Sequence, residues 1–178
     1  MTTLDRYRGC LLGLAAGDAL GTTLEFEAPG SFEPLTDMVG GGPFNLKPGE
    51  WTDDTSMALC LAESLVTKGD FDPIDQLETY CRWYESGHLS VKGRCFDIGI
   101  TTAGALRRFR AHREPYPGAV DPGAAGNGSL MRLAPAPLAF AGRPEVALYM
   151  AGQSSRTTHG AAECVEACRY FAGLLLAA

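Results

Sequence analysis

The chain has 178 residues, of which 46% are hydrophobic and 20% charged, a composition typical of globular proteins and unlike that of disordered or fibrous ones. Its formal net charge is -6, from 21 acidic and 15 basic residues, which argues against the basic surface that nonspecific nucleic-acid binding requires. This length predicts one domain, residues 1–178, and no segment reaches the ~18 apolar residues of a membrane span.

The cysteines and the N-terminus bear on the cellular compartment. The six cysteines lie inside apolar periodic segments without a C-x-x-C pair, which favours free thiols over a disulfide framework. The three histidines are scattered, so a zinc site is not expected. The segment "RYRGCLLGLAAGDAL" has the basic-then-apolar order of a signal peptide, but Asp18 interrupts the apolar run early. We therefore expect a cytoplasmic protein.

Every predicted element is a helix, because apolar residues recur at helical spacing and no alternating strand pattern is present. Glycines at four-residue spacing (9, 13 and 17) predict close approach of another helix to the first one. Two glycine-rich loops are predicted, residues 21–51 and 117–132, and loops as long as the first are usually functional or disordered. The fold class is all-α. The predicted helices cover residues 4–20, 53–67, the segment "DPIDQLETYCRWYES" with Asp72 as cap, residues 97–112, 144–153, and about 160 to the end.

The segment "KPGEWTDDTSMALCLAESL" places Thr52, Asp53 and Asp54 directly before an apolar helical run. Threonine is a favoured N-cap and acidic residues suit the first turn of a helix, so simple capping explains all three. Two carboxylates and a hydroxyl are also the oxygen ligands that Mg²⁺ or Mn²⁺ prefers. The segment by itself leaves both interpretations open.

Five further polar features each have an ordinary structural explanation. Asp18 can be a buried carboxylate with satisfied hydrogen bonds, and Glu25 a solvated loop residue. Asp97 can cap a helix, and "GNGS" at 126–129 is a common turn. His159 can cap a helix or fill a gap in the core. None of these features identifies a function alone.

The order and spacing of the motifs are more informative. The segments "RYRGCLLGLAAGDALGTTLEF", "GEWTDDTSMAL", "FDIGITT", "GNGSLMR" and "TTHG" follow one another and resemble the ADP-ribosylglycohydrolase family, especially its dinitrogenase-reductase-activating branch. The resemblance runs from about residue 6 to the last residue. It implies a compact orthogonal multi-helix bundle with a cleft for two Mg²⁺ or Mn²⁺ ions. It also implies hydrolysis of the glycosidic bond between ADP-ribose and a protein side chain, so the expected partner is an ADP-ribosylated protein.

The resemblance also implies roles for individual residues. Thr52, Asp53 and Asp54 match metal ligands of the family. Glu25 matches an acidic residue at the metals that moves with the ligand, and Asp97 matches an acid with a catalytic or substrate-positioning role. These two are the candidate catalytic residues, because carboxylates can stabilise oxocarbenium character or activate water. The candidates for substrate binding match the loop that holds the distal ribose and phosphates and a histidine that faces ADP-ribose: Gly126, Asn127, Gly128, Ser129 and His159.

One large departure from the family concerns the end of the chain. The second metal motif of the family, G-D-x-D-T, is absent, and the final "CRYFAGLLLAA" carries no helix stop signal. We therefore expect an N-terminal portion of the domain, completed by a missing C-terminal segment or a second chain, with natural truncation as the alternative. The 178-residue chain alone is expected to be weakly active or inactive.

Smaller departures leave the acceptor open. Ile100, Ala124 and Ala125 replace residues that are polar or aromatic in relatives, although the "TDDT" and "DIG" context mildly favours arginine as the acceptor.

Two other functions remain: a module that binds ADP-ribose without cleaving it, and a structural protein of the crystallin type. The intact metal and acid residues argue against the structural role.

Overall fold

The computed structural model of the chain describes residues 2–178. Seven α-helices dominate this part of the chain, which contains no β-strand, only isolated bridges such as the one between Gly41 and Leu46. The all-α prediction is confirmed. The helices are α1 (Thr3–Gly21), α2 (Asp53–Lys68), α3 (Pro73–Ser86), α4 (Ile100–His112), α5 (Pro135–Ala139), α6 (Pro144–Arg156) and α7 (Ala162–Ala177).

Helix α2 lies at the centre of the core. It packs against α1, α3 and α5, while α6 and α7 pack against each other and against α5. Met57 and Leu61 of α2 are fully buried, as their helical spacing predicts, and Leu65 is nearly so. The largest fully buried apolar side chains elsewhere are Leu77, Tyr80 and Trp83 of α3, Leu106 and Phe109 of α4, and Leu133 just before α5.

Helix α1 packs more loosely than the others. Among its residues Ala19 alone is buried in the described part of the chain. A Cβ added at Gly9, Gly13 or Gly17 would meet no other atom within 4 Å. The predicted close approach on the glycine face is therefore wrong for the packing among residues 2–178, and the polar C-terminal end of α1 is what ties it to α2.

Local signals in the sequence set most of the helix ends. Asp72 accepts hydrogen bonds from two first-turn N–H groups of α3, and Pro73 occupies its first position. Helix α2 ends at Gly69, whose φ of 68° lies in the left-handed region. Gly87 ends α3 in the same way, and a Cβ there would lie 2.1 Å from the backbone nitrogen of Arg94, so no larger residue fits.

The predicted helices differ from the structure in two places. Helix α4 begins at Ile100 and not at residue 97, because Asp97 has a left-handed φ of 57° that cannot continue into a right-handed helix. Asp97 is consequently not a helix cap, and Gly99 occupies that position. Helix α5 was not predicted, since its five residues, "PAPLA", include two prolines and are too few to show a helical period.

The six cysteines are free thiols, and four of them are buried. No helix in the described chain combines the length and the apolar character needed to cross a bilayer.

Candidate active site

The polar residues singled out in the sequence gather along one cleft of about 740 Å³. The cleft lies between the C-terminal end of α1, the N-terminal end of α2, the segment before α4 and the glycine-rich loop before α5. All but one of the predicted site residues line it, so motifs far apart in sequence meet in one place. These residues are Glu25, Thr52, Asp53, Asp54, Asp97, Gly126, Asn127, Gly128 and His159.

The N-terminal end of α2 is capped by a residue of α1. Asp18 accepts hydrogen bonds from the backbone N–H groups of Thr52 and Thr55, at 3.0 Å each, and from their hydroxyls, at 2.8 and 2.7 Å. Thr52 occupies the N-cap position as predicted, but its side chain makes no capping hydrogen bond. Asp18 takes over the capping role, so the carboxyls of Asp53 and Asp54 are not needed as helix caps. Both carboxyls line the cleft.

Burial and mutual repulsion raise the pKa values of the carboxyls at this end of the cleft. Burial is the largest cause at Asp53, and the charge of Asp97 adds to it, so the pKa of Asp53 lies well above its ordinary range. Burial is also the largest cause at Asp54, where the charges of Asp18 and Glu25 help to raise the pKa to about 6. A cation bound nearby would lower these pKa values, because it stabilises the ionised carboxyls.

Asp97 is brought to the cleft by a left-handed backbone conformation, which aspartate tolerates better than most residues. Its carboxyl lies within hydrogen-bond reach of the Asp53 carboxyl. Burial, followed by the charges of Glu25 and Asp54, raises the pKa of Asp97, while the hydrogen bond from Asp53 opposes the shift. The pKa of Asp97 is raised to about 7, which lies near neutral pH.

Glu25 follows the short 3₁₀ turn Thr22–Leu24 that leaves α1. The hydroxyl of Thr22 donates to Glu25 Oε2 at 3.3 Å. Burial raises the pKa of Glu25, the Thr22 hydrogen bond lowers it, and the charge of Asp18 raises it again. The next residue, Phe26, has a φ of 66° and is 80% exposed at the cleft rim, so the Glu25 carboxyl sits on a strained, accessible turn.

The glycine-rich loop lies directly against His159. A Cβ at Gly128 would be 2.8 Å from His159 Cε1 and 3.1 Å from Thr102 Oγ1, whereas one at Gly126 would be 3.6 Å from His159 Nε2, an ordinary contact. Close approach therefore requires glycine at position 128. Burial and, secondly, the charge of Arg132 lower the pKa of His159 to about 4, so its ring is neutral at pH 7.

Ser129 is the one predicted site residue whose side chain is not brought to the cleft. It is 1% exposed, and its hydroxyl accepts hydrogen bonds from Ser155 Oγ at 2.9 Å and from the Cys168 thiol at 3.5 Å. The 3₁₀ turn Asn127–Ser129 directs this hydroxyl into the core beneath the loop. Its side chain supports the loop from behind, so any contact of Ser129 with a ligand would involve its backbone.

Two supporting residues of the site were not predicted. Asp18 is the satisfied carboxylate that the sequence allows, but its task of holding the N-terminal end of α2 in place was not foreseen. Arg132 is fully buried behind the glycine-rich loop. The available signal was an arginine inside the otherwise apolar segment "LMRLAPAPLAF".

The donors at the N-terminal end of α2 fit a hard divalent cation. Thr52, Asp53 and Asp54 offer only oxygen atoms, and none of the ion pairs in residues 2–178 involves these carboxylates. Within the same residues, no three His, Cys, Asp or Glu side chains lie close enough together to hold a metal ion. Mg²⁺ commonly binds through one or two carboxylates and retains several waters. Thr52, Asp53 and Asp54 can therefore supply part of the coordination shell of such an ion, with other ligands completing it.

Comparison with known proteins identifies the class. The family model for ADP-ribosylglycohydrolase matches residues 1–178, and the chain belongs to that family. The resemblance inferred from the five motifs is therefore confirmed.

Individual relatives agree with this assignment. The chain is 49% identical over 172 residues to ADP-ribosylarginine hydrolase Tri1 of Pseudomonas putida (strain GB-1), covering 97% of this chain and 46% of the relative. It is 42% identical over 144 residues to the ADP-ribosyl-[dinitrogen reductase] glycohydrolase of Rhodospirillum rubrum, covering 79% and 46%. A solved ADP-ribosylglycohydrolase-related protein complex superposes with a TM-score of 0.84 at 49% identity, covering 97% of this chain and 55% of that one. The chain thus spans about half the length of the relatives it matches.

Proposed function

We propose that the protein is a divalent-metal-dependent hydrolase that releases ADP-ribose from a modified arginine side chain of a protein. The observation that carries this proposal is the cleft itself, which joins uncompensated carboxylates at one end to a glycine-rich loop and a neutral histidine at the other. Two relatives named ADP-ribosylarginine hydrolase, at 49% and 45% identity, support arginine as the acceptor.

Thr52, Asp53 and Asp54 would hold Mg²⁺ or Mn²⁺ at the N-terminal end of α2. A bound divalent cation polarises water and orients ribose hydroxyls, which is the chemistry that a ribosyl hydrolase needs. Asp18 fixes the backbone of Thr52 and Thr55, so the carboxyls of the first turn keep a constant position relative to the cleft.

Asp97 and Glu25 are the catalytic candidates, because both carboxyls line the cleft and their pKa values are raised by burial. Cleavage of a ribosyl bond builds positive charge at the anomeric carbon, and an ionised carboxylate next to it stabilises that charge. A carboxyl that titrates near neutral pH can also accept a proton from the attacking water and return it to the leaving group. Asp97 suits this exchange, since burial and the charges of neighbouring carboxyls raise its pKa to about 7.

The other end of the cleft suits the diphosphate and distal ribose. Gly126, Asn127 and Gly128 line it, and backbone without Cβ atoms allows phosphate oxygens to approach amide groups closely. This explains how a protein of net charge -6 can receive an anion. An ADP-ribosylated protein is accordingly the proposed partner, and the free thiols suit a reducing cytoplasm.

A second candidate function is binding of ADP-ribose without cleavage. The observation in its favour is that residues 2–178 contain no cluster of three metal-ligating side chains, although the glycine-rich loop is complete. The crystallin-type structural role has no comparable support, since the site residues lie together in one open cleft.

The test is release of ADP-ribose from an ADP-ribosylated arginine peptide, with Mn²⁺ and then with EDTA. We expect Mn²⁺-dependent release by the protein and a loss of at least about a hundredfold in Asp97→Asn. Tight ADP-ribose binding without release under every condition would favour the second candidate. Undiminished release in EDTA would contradict the metal-dependent proposal.

A further inference from the structure

Arg132 lies behind the cleft, is fully buried, and pairs with no carboxylate in the described chain. Its guanidinium lies 4.7 Å from the centre of the Tyr80 ring, and its Nε has no hydrogen-bond partner among the described residues. A buried charge is costly unless polar groups surround it, so the groups that Arg132 does contact carry its stabilisation.

Those contacts connect Arg132 to the glycine-rich loop and to the segment before His159, which together form one end of the cleft. Nη1 donates to the carbonyl oxygen of Gly128 in the glycine-rich loop. Nη2 donates to Thr158 Oγ1 at 2.7 Å, and more weakly to the Ser154 carbonyl and Thr157 Oγ1 at 3.3 Å each. One buried cation therefore holds the loop and the segment preceding His159 together.

The direction of the next hydrogen bond follows from the chemistry of arginine. A guanidinium has donors only, so Thr158 Oγ1 must accept from Arg132. The Thr158 hydroxyl is fully buried, and its own proton has one available acceptor among the described groups, His159 Nδ1 at 2.8 Å. If Nδ1 carried the ring proton instead, the Thr158 proton would be buried without a partner, which costs about 1–3 kcal/mol.

We propose that Arg132 is a positioning residue that, through Thr158, fixes His159 as the neutral tautomer with its proton on Nε2, a donor directed at the ligand. His159 Nε2 is the ring nitrogen beside Gly126 and Gly128, where a ligand oxygen would enter. The same guanidinium holds the Gly128 carbonyl inward, so the loop cannot rotate that acceptor toward an anionic ligand. The proposal rests on the proposed function only for the identity of that ligand.

The test is ring-nitrogen NMR of the ligand-free full chain labelled with ¹⁵N-histidine at pH 7, since nitrogen shifts report which ring nitrogen is protonated. The His159 signals are identified by their loss in His159→Gln. We expect the Nε2–H form in the wild type. Thr158→Val removes the donor to Nδ1 while keeping the shape of the side chain, and we expect the fraction of the Nδ1–H form to rise above that of the wild type. Thr158→Ser keeps a hydroxyl and should retain the wild-type spectrum.

A second variant addresses Arg132 itself. Arg132→Met removes the donors but keeps much of the apolar stem, which frees Thr158 to accept from the ring, so we expect a rise in the Nδ1–H form. If this variant does not fold, the Thr158→Val spectrum still tests whether the Thr158 hydroxyl sets the tautomer of His159. An Nδ1–H ring in the wild type, or a His159 spectrum unchanged in Thr158→Val, would overturn the proposal.

Binding of ADP-ribose separates this inference from the proposed function. Thr158→Val should weaken ADP-ribose binding about tenfold, the loss of roughly one hydrogen bond, and Thr158→Ser should stay near wild type. A wild-type chain that shows the Nε2–H ring but binds no ADP-ribose would count against the proposed function and leave the tautomer assignment supported.

Discussion

Asp54→Asn should stabilise the metal-free protein at neutral pH. The Asp54 carboxyl lines the cleft in the first turn of α2, and burial together with the charges of Asp18 and Glu25 raises its pKa from an ordinary value of 3.8 to about 6. A raised pKa means that the folded state binds the proton more tightly than the unfolded state does. Stability from this group is complete below about pH 4 and is lost as pH rises from there through about 6.

The size of the effect follows from the shift. About two pKa units correspond to roughly 3 kcal/mol of stability lost above pH 6, because one unit is about 1.36 kcal/mol. Screening by solvent at this partly exposed carboxyl reduces the figure, so we expect a gain of about 1–3 kcal/mol in Asp54→Asn at pH 8. For a chain of this size, the gain corresponds to a rise in Tm of roughly 3–10 °C. At pH 4 the two proteins should be nearly equally stable.

The assay is thermal unfolding in EDTA, followed by circular dichroism at several values between pH 4 and pH 8. Asp70→Asn is the matched control, since it removes the same charge from an exposed position outside the cleft and should change stability by less than about 0.5 kcal/mol. With Mn²⁺ present the order should reverse, because the wild type gains binding energy that the variant loses. Equal stability of wild type and Asp54→Asn at pH 8 would refute the account of the cleft electrostatics.

Three other substitutions concern the groups that support the cleft. Gly128→Ala should weaken ADP-ribose binding about tenfold to a hundredfold in calorimetric titration, because its Cβ would lie 2.8 Å from His159 Cε1. Gly126→Ala, whose Cβ makes only an ordinary 3.6 Å contact, should bind within about threefold of wild type, and equal losses in both variants would contradict the close-approach argument. Asp18→Asn should lower the free energy of unfolding in urea by about 2–3 kcal/mol, because an amide cannot accept all the hydrogen bonds from Thr52 and Thr55. No change in the urea midpoint would show that α2 does not depend on this cap.

The helices of the core follow from signals that are local in sequence. Asp72 and Pro73 mark the start of α3, Gly69 marks the end of α2, and the spacing of Met57 and Leu61 identifies the buried face of α2. Each of these features acts within one or two turns of helix, so one sequence is sufficient to read it.

The features that the sequence did not predict depend on contacts between distant segments of the chain. Thr52 occupies the N-cap position, but the capping acceptor is Asp18, which lies 34 residues earlier on another helix. The left-handed conformation of Asp97 moves the start of α4 by three residues, and no local pattern announces it. Ser129 matches the family motif as well as its neighbours do, yet the turn directs its hydroxyl into the core.

The candidate site as a whole came from the order of the motifs and not from the residues taken singly. Glu25, Asp97 and His159 each had an ordinary explanation that composition and spacing could not reject. The fold brings them to one cleft because α1, α2 and the glycine-rich loop converge there. The sequence marks Arg132 only as an arginine within an apolar segment, and its role depends on the buried groups that surround it.

The measurement that tests the central claim most directly is Mn²⁺ binding by electron paramagnetic resonance, with and without ADP-ribose, in wild type and Asp53→Asn. If the cation lies at the N-terminal end of α2 and ADP-ribose lies in the same cleft, each ligand should tighten the other by about fivefold or more. Asp53→Asn should lose most of the Mn²⁺ affinity and the coupling, while keeping the fold. Binding of the two ligands without mutual effect, or unchanged Mn²⁺ binding in Asp53→Asn, would contradict the account.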